Sequence, residues 1–122
     1  MAECAMSPSA VTQAERAERF QLLHTRPGAF VIPNPWDAGS AWMLAALGFE
    51  ALATTSAGFA FSLGRPDAEG ALDREETLLN IRAIVDATSL PVSGDLENGF
   101  GDEPQTCAET IRLAAQAGTA PN

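Results

Sequence analysis

The chain has 122 residues, a length that suits one ordinary domain and is too short for two. Apolar residues make up 46% of the sequence, which is enough to bury a core and argues against a disordered tail. The formal net charge is −9 and all seven positive residues are arginine, a balance that argues against a nucleic-acid-binding face and against binding to an anionic membrane.

Cysteine usage and the N-terminus indicate a reduced, cytoplasmic chain. Cys4 and Cys107 are the only cysteines, and neither belongs to a Cys-x-x-Cys pair. The sequence has no apolar run of about 18 residues, the minimum for a membrane span. Residues 1–8 also lack the basic start and apolar run of a signal peptide. We expect residues 1–8 to be disordered.

The first predicted helix covers residues 9–24. Thr12 and Glu15 have the spacing of a capping box, and the Arg-Pro-Gly sequence at 26–28 ends the helix. His24 is the only histidine, and its place near the helix C-terminus favours a role with the helix dipole over a role in chemistry. With one histidine, the chain can build neither a Ser-His-Asp triad nor a zinc site of several histidines.

A strand, a helix and a second strand are predicted next. Residues 29–33 are wholly apolar, as in a strand that is buried on both faces. Asp37 is well placed to cap a helix over residues 38–47, which Gly48 ends. Residues 51–55 form the second predicted strand, and it runs into small residues.

Residues 57–72 are predicted to form a long, mixed connection. Connections of this length are usually either functional or disordered, and the apolar residues Phe59, Phe61 and Leu63 argue against disorder. The i, i+2 spacing of these three residues also fits a strand, so that alternative stays open.

The remaining prediction is a helix, a strand and a last helix. Asp73 and Glu76 have capping-box spacing at the start of a helix that continues to about residue 88. The third strand covers residues 90–94. The last helix covers residues 103–117, with Gly118 as its end.

Short apolar strands that alternate with helices predict an α/β fold with a parallel sheet. We expect the three strands to lie parallel and adjacent in chain order. In such folds, binding sites collect at the carboxyl ends of the strands. Here the three strand ends carry polar residues at 34–37, 54–56 and 95–97.

The third strand end carries two carboxylates, Asp95 and Glu97. In an extended segment these side chains point the same way, and Gly99 and Gly101 leave room beside them. Two close carboxylates repel each other unless a positive group lies between them, and Mg²⁺ is a natural partner. The alternative is a solvated acidic turn in which Asp102 caps the next helix.

Four segments, taken together and in this order, resemble the isocitrate lyase/phosphoenolpyruvate mutase superfamily. The closer likeness is to its short phosphonomutase and 2-methylisocitrate lyase branch, and it covers about residues 18–118. The segments are NPWDAGSA at 34–41, TTSAG at 54–58, SLGRPD at 62–67 and GDLENGFGD at 94–102.

The resemblance implies a TIM (β/α)₈ barrel with Mg²⁺, or Mn²⁺, at its mouth. Residues 1–122 would form one incomplete domain, an N-terminal helix and the first three βα units. The implied chemistry is the cleavage or formation of a C–C or P–C bond beside a 2-oxo or 2-hydroxy carboxylate. The metal would stabilise an enolate-like species as a Lewis acid. The substrate would be a small molecule, and the parent protein a homo-oligomer.

The resemblance also implies roles for individual residues. Asp95 matches the direct metal ligand, and Glu97 matches a second acid that holds the metal through water. Asp67 matches a loop carboxylate near metal and substrate, and is the candidate catalytic residue. The segment that binds the substrate carboxylate or oxyanion is matched by Thr54, Thr55 and Ser56. At the first strand end, Asn34 and Trp36 are expected to serve packing more than chemistry.

The sequence also departs from the family. The superfamily continues with a strand carrying an Ile-Glu-Asp-like motif, then a mobile loop with Lys, Cys, Gly and His. This sequence ends at Asn122, before that strand, so we expect a truncated or frameshifted product that is inactive alone, or part of a longer record. A barrel of the related 2-oxo-acid aldolase type and a non-catalytic remnant remain the alternatives.

Overall fold

The computed structural model describes residues 11–120, so the prediction for residues 1–8 lies outside the described part. The described chain is α/β, with five helices and a small parallel sheet. Its elements are α1 (Gln13–Thr25), α2 (Ala38–Ala46), β1 (Leu52–Ala53), α3 (Ser56–Ser62), α4 (Arg74–Asp86), β2 (Val92–Ser93) and α5 (Pro104–Ala117). None of these helices is long and apolar enough to cross a membrane.

The two strands pair in parallel, which confirms the predicted sheet type. Leu52 lies opposite Val92, and Ala53 opposite Ser93. The Leu52 N–H donates to the Pro91 carbonyl and the Thr54 N–H to the Ser93 carbonyl, both at 2.9 Å. The ladder therefore ends where Thr54 and Gly94 begin the two loops that follow the strands.

The prediction of a strand at residues 29–33 is wrong. The segment lies beside β1, where the Ala53 N–H donates to the Pro33 carbonyl at 3.1 Å, but residues 29–33 are not in a β-ladder. Proline has no N–H to return such a bond, and this removes one rung of any ladder at this edge. The described sheet therefore has two strands, where the sequence predicted three.

The prediction for residues 57–72 is also wrong over its first part. Residues Ser56–Ser62 form the seven-residue helix α3, neither a loop nor a strand. Thr55 caps it, because its hydroxyl accepts from the Gly58 N–H at 3.1 Å. Apolar side chains spaced two apart misled the prediction, since Phe61 is exposed while its neighbour Ala60 is the buried residue.

The predicted helix ends are largely confirmed. Thr12–Glu15 and Asp73–Glu76 form capping boxes, and Asp37 caps α2 through the Ser40 N–H. Helix α1 begins at Gln13, later than predicted. Helix α5 ends at Gly118, which adopts a left-handed conformation with φ of 100°.

A buried arginine of α1, Arg16, holds this helix against the end of α4 and the segment that follows it. Arg16 is only 2% exposed, and its guanidinium donates to the main-chain carbonyls of Val85, Thr88 and Leu90. Val85 lies in the last turn of α4, so the cation lies at the negative end of the helix dipole. This side chain joins α1 to the connection between α4 and β2.

Two apolar clusters form the core. The larger lies between the sheet and the helices and contains Ala41, Leu52, Ile81, Ile84, Val85, Val92 and Ala117. The smaller joins α1 to the start of β1 and contains Phe20, Ala51 and Ala120, with Leu23, Phe30 and Ile32 partly buried against it. Together these clusters fix the sheet, and with it the loops at the carboxyl ends of β1 and β2.

Candidate functional site

Asp95 and Ser56 meet at the carboxyl ends of the two strands. The Asp95 Oδ2 atom accepts from the Ser56 N–H at 2.9 Å. In the reverse direction, the Asp95 N–H donates to the Thr54 Oγ1 atom at 2.8 Å. The parallel pairing of β1 and β2 places these residues side by side, as expected for strand ends in one sheet.

The environment of Asp95 keeps its carboxylate charged. Its Oδ1 atom accepts from the Glu97 N–H at 3.1 Å, so both carboxylate oxygens have main-chain donors. Partial burial by itself raises the pKa of Asp95, but the hydrogen bonds from Ser56 and Glu97 outweigh it, and the pKa falls below its usual value.

Glu97 lies in a turn, and the strand alternation that was expected to align it with Asp95 does not apply. Strand β2 ends at Ser93, and Glu97 has a φ of +51°. Burial raises the pKa of Glu97, and the negative charges of Asp95, Asp67 and Glu69 raise it further. The two predicted metal-binding acids are therefore close enough to interact, although for a different structural reason.

The glycines of this turn serve its contact with α5. Gly99 has a φ of +81°, and a Cβ built there would lie 2.8 Å from the Cys107 Sγ atom. The Thr110 hydroxyl donates to the Gly99 carbonyl at 2.8 Å. Glycine was expected here to leave room beside the acids. In the structure, Gly99 instead allows the turn to approach α5 closely.

Glu97 and Asp67 line one open cavity of about 610 Å³. Asp67 belongs to the exposed connection that follows α3. The lining residues are Asp67, Ala68, Glu69, Gly70, Leu72, Glu97, Asn98, Phe100, Gly101 and Asp102. None of these residues is basic, so the lining is strongly negative. The structure thus brings Asp67 and Glu97 to one cavity, and Asp95, which is not among the lining residues, interacts with Glu97.

The predicted substrate-binding residues already have partners within the chain. Thr54 is buried and its hydroxyl accepts from Asp95, while the Thr55 hydroxyl caps α3. The Ser56 N–H is bound to the Asp95 carboxylate. All three residues lie at the end of β1, next to Asp95, and their role with a substrate stays a prediction.

Asn34 and Trp36 lie where packing explains them. The Asn34 side-chain amide donates to the Ala53 carbonyl at 3.1 Å, which ties the first turn to the end of β1. A Cβ built on Gly58 would lie 3.3 Å from the Trp36 Cβ atom, so the base of the tryptophan side chain lies against α3, although the side chain is partly exposed. The Asn34 contact is structural, as expected, and the role of Trp36 stays a prediction.

A divalent cation fits this site if two carboxylates bind it and water or substrate supplies its other ligands. Within residues 11–120, no group of three His, Cys, Asp or Glu side chains is arranged to hold a metal ion. Mg²⁺ is commonly held by one or two carboxylates, with water and substrate as its other ligands. Asp95 and Glu97 supply such a pair. Burial is the main cause of the raised pKa of Glu97, and the neighbouring negative charges that add to it are charges that a cation would neutralise.

The sequence assigned no role in the site to Glu69, Asp102 or Arg65. Glu69 and Asp102 line the cavity with the predicted acids, and Arg65 lies at the start of the loop that carries Asp67. The alternative in which Asp102 caps the last helix is wrong, because Glu103 is the N-cap residue of α5. The two-residue spacing of Asp67 and Glu69 between Gly64 and Gly70 could have indicated a pair of acids on one loop. No pattern in the sequence indicated that Arg65 contacts α4.

Comparison with known proteins identifies the family. The sequence profile described as phosphoenolpyruvate phosphomutase matches residues 20–121. The chain belongs to the phosphoenolpyruvate mutase/isocitrate lyase superfamily. This confirms the resemblance carried by the four sequence segments.

Three members of the superfamily illustrate the match. A crystal structure from Burkholderia cenocepacia J2315, assigned as a lyase/mutase, is 67% identical with a TM-score of 0.84, covering 88% of this chain and 38% of that one. The 2,3-dimethylmalate lyase of Eubacterium barkeri is 36% identical over 85% of this chain and 35% of its own length. The 2-methylisocitrate lyase of Halalkalibacterium halodurans is 34% identical over 74% of this chain and 30% of its own length.

The superfamily members that the chain matches are lyases and mutases, and the described fold resembles theirs. The chain spans about a third of the length of these relatives, between 30% and 38%.

Proposed function

We propose that the chain is the N-terminal part of a Mg²⁺-dependent lyase or mutase. It would act on a C–C or P–C bond beside the carboxylate of a small 2-oxo or 2-hydroxy acid. The observation that carries this proposal is the meeting of Asp95 with Ser56 at the ends of adjacent parallel strands, beside an acidic cavity. Family membership adds weight, since the named relatives act on 2,3-dimethylmalate and 2-methylisocitrate.

The candidate residues would bind the metal ion, bind the substrate or take part in the reaction. Asp95 and Glu97 would hold Mg²⁺, or Mn²⁺ in its place, and the ion would supply Lewis-acid stabilisation of negative charge that develops on the substrate. Thr54, Thr55 and Ser56 would bind the substrate carboxylate beside it. Asp67 would face metal and substrate from the loop after α3, because it shares the cavity with Glu97.

We propose that residues 1–122 form one domain that corresponds to the first part of the barrel. The parent protein would be a homo-oligomer in the cytoplasm. Its partner would be a small carboxylate, in keeping with the acidic composition that argues against nucleic acid and membranes.

Metal binding tests the site directly. Free Mn²⁺ measured by its electron paramagnetic resonance signal should fall when the chain is added, and Asp95→Asn and Glu97→Gln should each reverse most of this effect. Asp86→Asn is the matched control, because Asp86 is an exposed carboxylate on α4 paired with Arg82. Equal Mn²⁺ binding by all four proteins would show that the ion binds the acidic surface in general and would overturn the proposed site.

Turnover tests whether the chain is active on its own. The substrates are 2,3-dimethylmalate, 2-methylisocitrate, oxaloacetate and phosphonopyruvate, and release of pyruvate and phosphate is measured with Mg²⁺. The 122-residue chain alone is expected to be inactive, because it spans about a third of the length of its lyase relatives. Release that depends on metal and is abolished by Asp95→Ala would contradict this expectation, and would also argue against a non-catalytic remnant.

A further inference from the structure

The loop that carries Asp67 is closed at its base by one arginine. We call residues 64–72 the acidic loop, since they contain Asp67 and Glu69. The Arg65 N–H donates to the Ala60 carbonyl of α3 at 2.9 Å. The Arg65 Nη1 atom reaches across the loop to the Ala71 carbonyl at 3.1 Å and to the Glu76 Oε1 atom at 2.6 Å. Arg65 therefore ties both ends of the loop to each other and to α4.

The acceptor of this ion pair is itself fixed. Glu76 lies in the first turn of α4, and its Oε2 atom accepts from the Asp73 N–H at 2.8 Å in the capping box. Exposed ion pairs usually contribute little because two long side chains must be ordered for one contact. Here the glutamate is already ordered by the cap, and the same guanidinium nitrogen also meets a main-chain carbonyl, so the geometry favours a persistent contact.

The rest of the loop has little else to hold it closed. Its residues from Gly64 to Gly70 are all exposed, and Leu72 at the far end is its buried anchor. Asp67 and Glu69 share the cavity with Glu97 and Asp102, so like charges meet along this lining. The charges of Asp67 and Glu69 raise the pKa of Glu97, so these carboxylates repel one another, and this repulsion favours movement of the loop away from the turn that carries Glu97.

We propose that Arg65 is a positioning residue, which latches the acidic loop over the cavity against carboxylate repulsion and so keeps Asp67 beside Glu97. A catalytic role for Asp67 rests on the proposed function. The latch rests only on the contacts of Arg65 and on the charges of the cavity lining.

Hydrogen exchange of the 122-residue chain in EDTA tests the latch without any metal. In Arg65→Met, the Gly64 and Ala71 amides, which donate to main-chain carbonyls at the two ends of the loop, should exchange roughly tenfold faster than in the parent, as expected for loss of a charge-assisted hydrogen bond. Amides in the middle of α4 serve as the internal reference and should be unchanged. Arg82→Met is the matched control, because Arg82 also pairs one carboxylate, Asp86, and one main-chain carbonyl, Gln116, away from the loop.

Added salt and charge removal separate a latch from a general loss of structure. In Arg65→Met, added NaCl should slow loop exchange by screening the repulsion between carboxylates. Adding Asp67→Asn and Glu69→Gln to this variant should restore slow exchange.

Glu76→Gln provides a second variant that removes the ion pair but keeps an acceptor for the cap, and it should behave as Arg65→Met does. Unchanged loop exchange in both single variants, or faster exchange with salt in Arg65→Met, would overturn the latch. Loss of Mn²⁺ binding specificity with the latch intact would overturn the proposed function alone.

Discussion

Asp95 is a structural residue in addition to a candidate ligand. Its carboxylate accepts from the Ser56 N–H that starts α3 and from the Glu97 N–H of the turn, while its own N–H is held by Thr54. One side chain thus joins the loops after both strands. Any substitution at this position changes the fold of the site together with its chemistry, and the two effects must be measured separately.

Asp95→Asn is expected to lower the free energy of unfolding by about 1–3 kcal/mol, because an amide NH₂ would face a main-chain donor that is partly buried. The measurement is urea unfolding at neutral pH in EDTA, which removes any contribution from metal. Asp86→Asn, on the exposed face of α4, should change stability by less than about 0.5 kcal/mol. Equal stability of the two variants would mean that the Asp95 contacts contribute nothing measurable.

Gly99→Ala is expected to be more destabilising than Gly70→Ala. Both glycines have positive φ, 81° and 76°, but a Cβ at Gly99 would lie 2.8 Å from the Cys107 Sγ atom whereas a Cβ at Gly70 meets nothing within 4 Å. Backbone strain costs about 1–2 kcal/mol at either position, and the clash adds to it only at Gly99. In a Cys107→Ala background the extra cost of Gly99→Ala should shrink, and a double-mutant cycle in thermal unfolding measures this. An extra cost that persists without the sulfur would refute the steric explanation.

For single residues, the location of a site residue at a strand end was easier to predict from the sequence than its backbone conformation. The strand-end location of Asp95 follows from an apolar run that gives way to acids, and the structure places Asp95 next to Ser56 accordingly. The conformation of Glu97 could not be predicted, because a non-glycine residue with positive φ leaves no clear mark in a sequence. The contact between Arg65 and Glu76 depends on how the loop folds back, which no local pattern specifies.

Among the elements, helix ends were predicted well and short strands poorly. Capping boxes and a terminal glycine act through neighbours three or four residues away, so the sequence alone contains both partners. A strand needs partners from distant parts of the chain. Residues 29–33 are more apolar than residues 51–55, yet only the latter contribute to the ladder, in part because Pro33 lacks an N–H. Helix α3 was missed because its capping residue, Thr55, was taken as the end of a strand.

The start of α1 should respond to acid. Hydrogen bonds from the Thr12 main chain and hydroxyl lower the pKa of Glu15. A carboxylate with a lowered pKa stabilises the folded state above its unfolded pKa of about 4.3, and this contribution is lost as pH falls through the folded value. The Thr12 amide resonance in NMR spectra should therefore titrate with an apparent pKa below about 4.3. It should not titrate in Glu15→Gln, and a midpoint above the usual glutamate value would contradict the capping box.

At the scale of the whole molecule, apolar surface is the dominant feature outside the site. Large apolar side chains are exposed on several helices, including Trp42 at 65% and Leu47 at 74%. Met43 and Leu47 are both exposed and lie four residues apart at the end of α2, and neighbouring exposed apolar side chains favour association. We expect the 122-residue chain alone to run larger than a monomer in size-exclusion chromatography with light scattering. A single monomeric peak across a range of protein concentrations would contradict this expectation.

The contacts of α1 also set the order in which the molecule can assemble. The Gln13 side chain donates to the Thr119 carbonyl at 2.8 Å, and the neighbouring Ala120 N–H donates to the Val92 carbonyl at 2.9 Å. Arg16 depends on carbonyls between residues 85 and 90. Helix α1 therefore docks on segments that lie 69 to 106 residues later in the chain. Because such distant contacts form only after the intervening chain is ordered, we expect α1 to dock after α4 and β2 have formed.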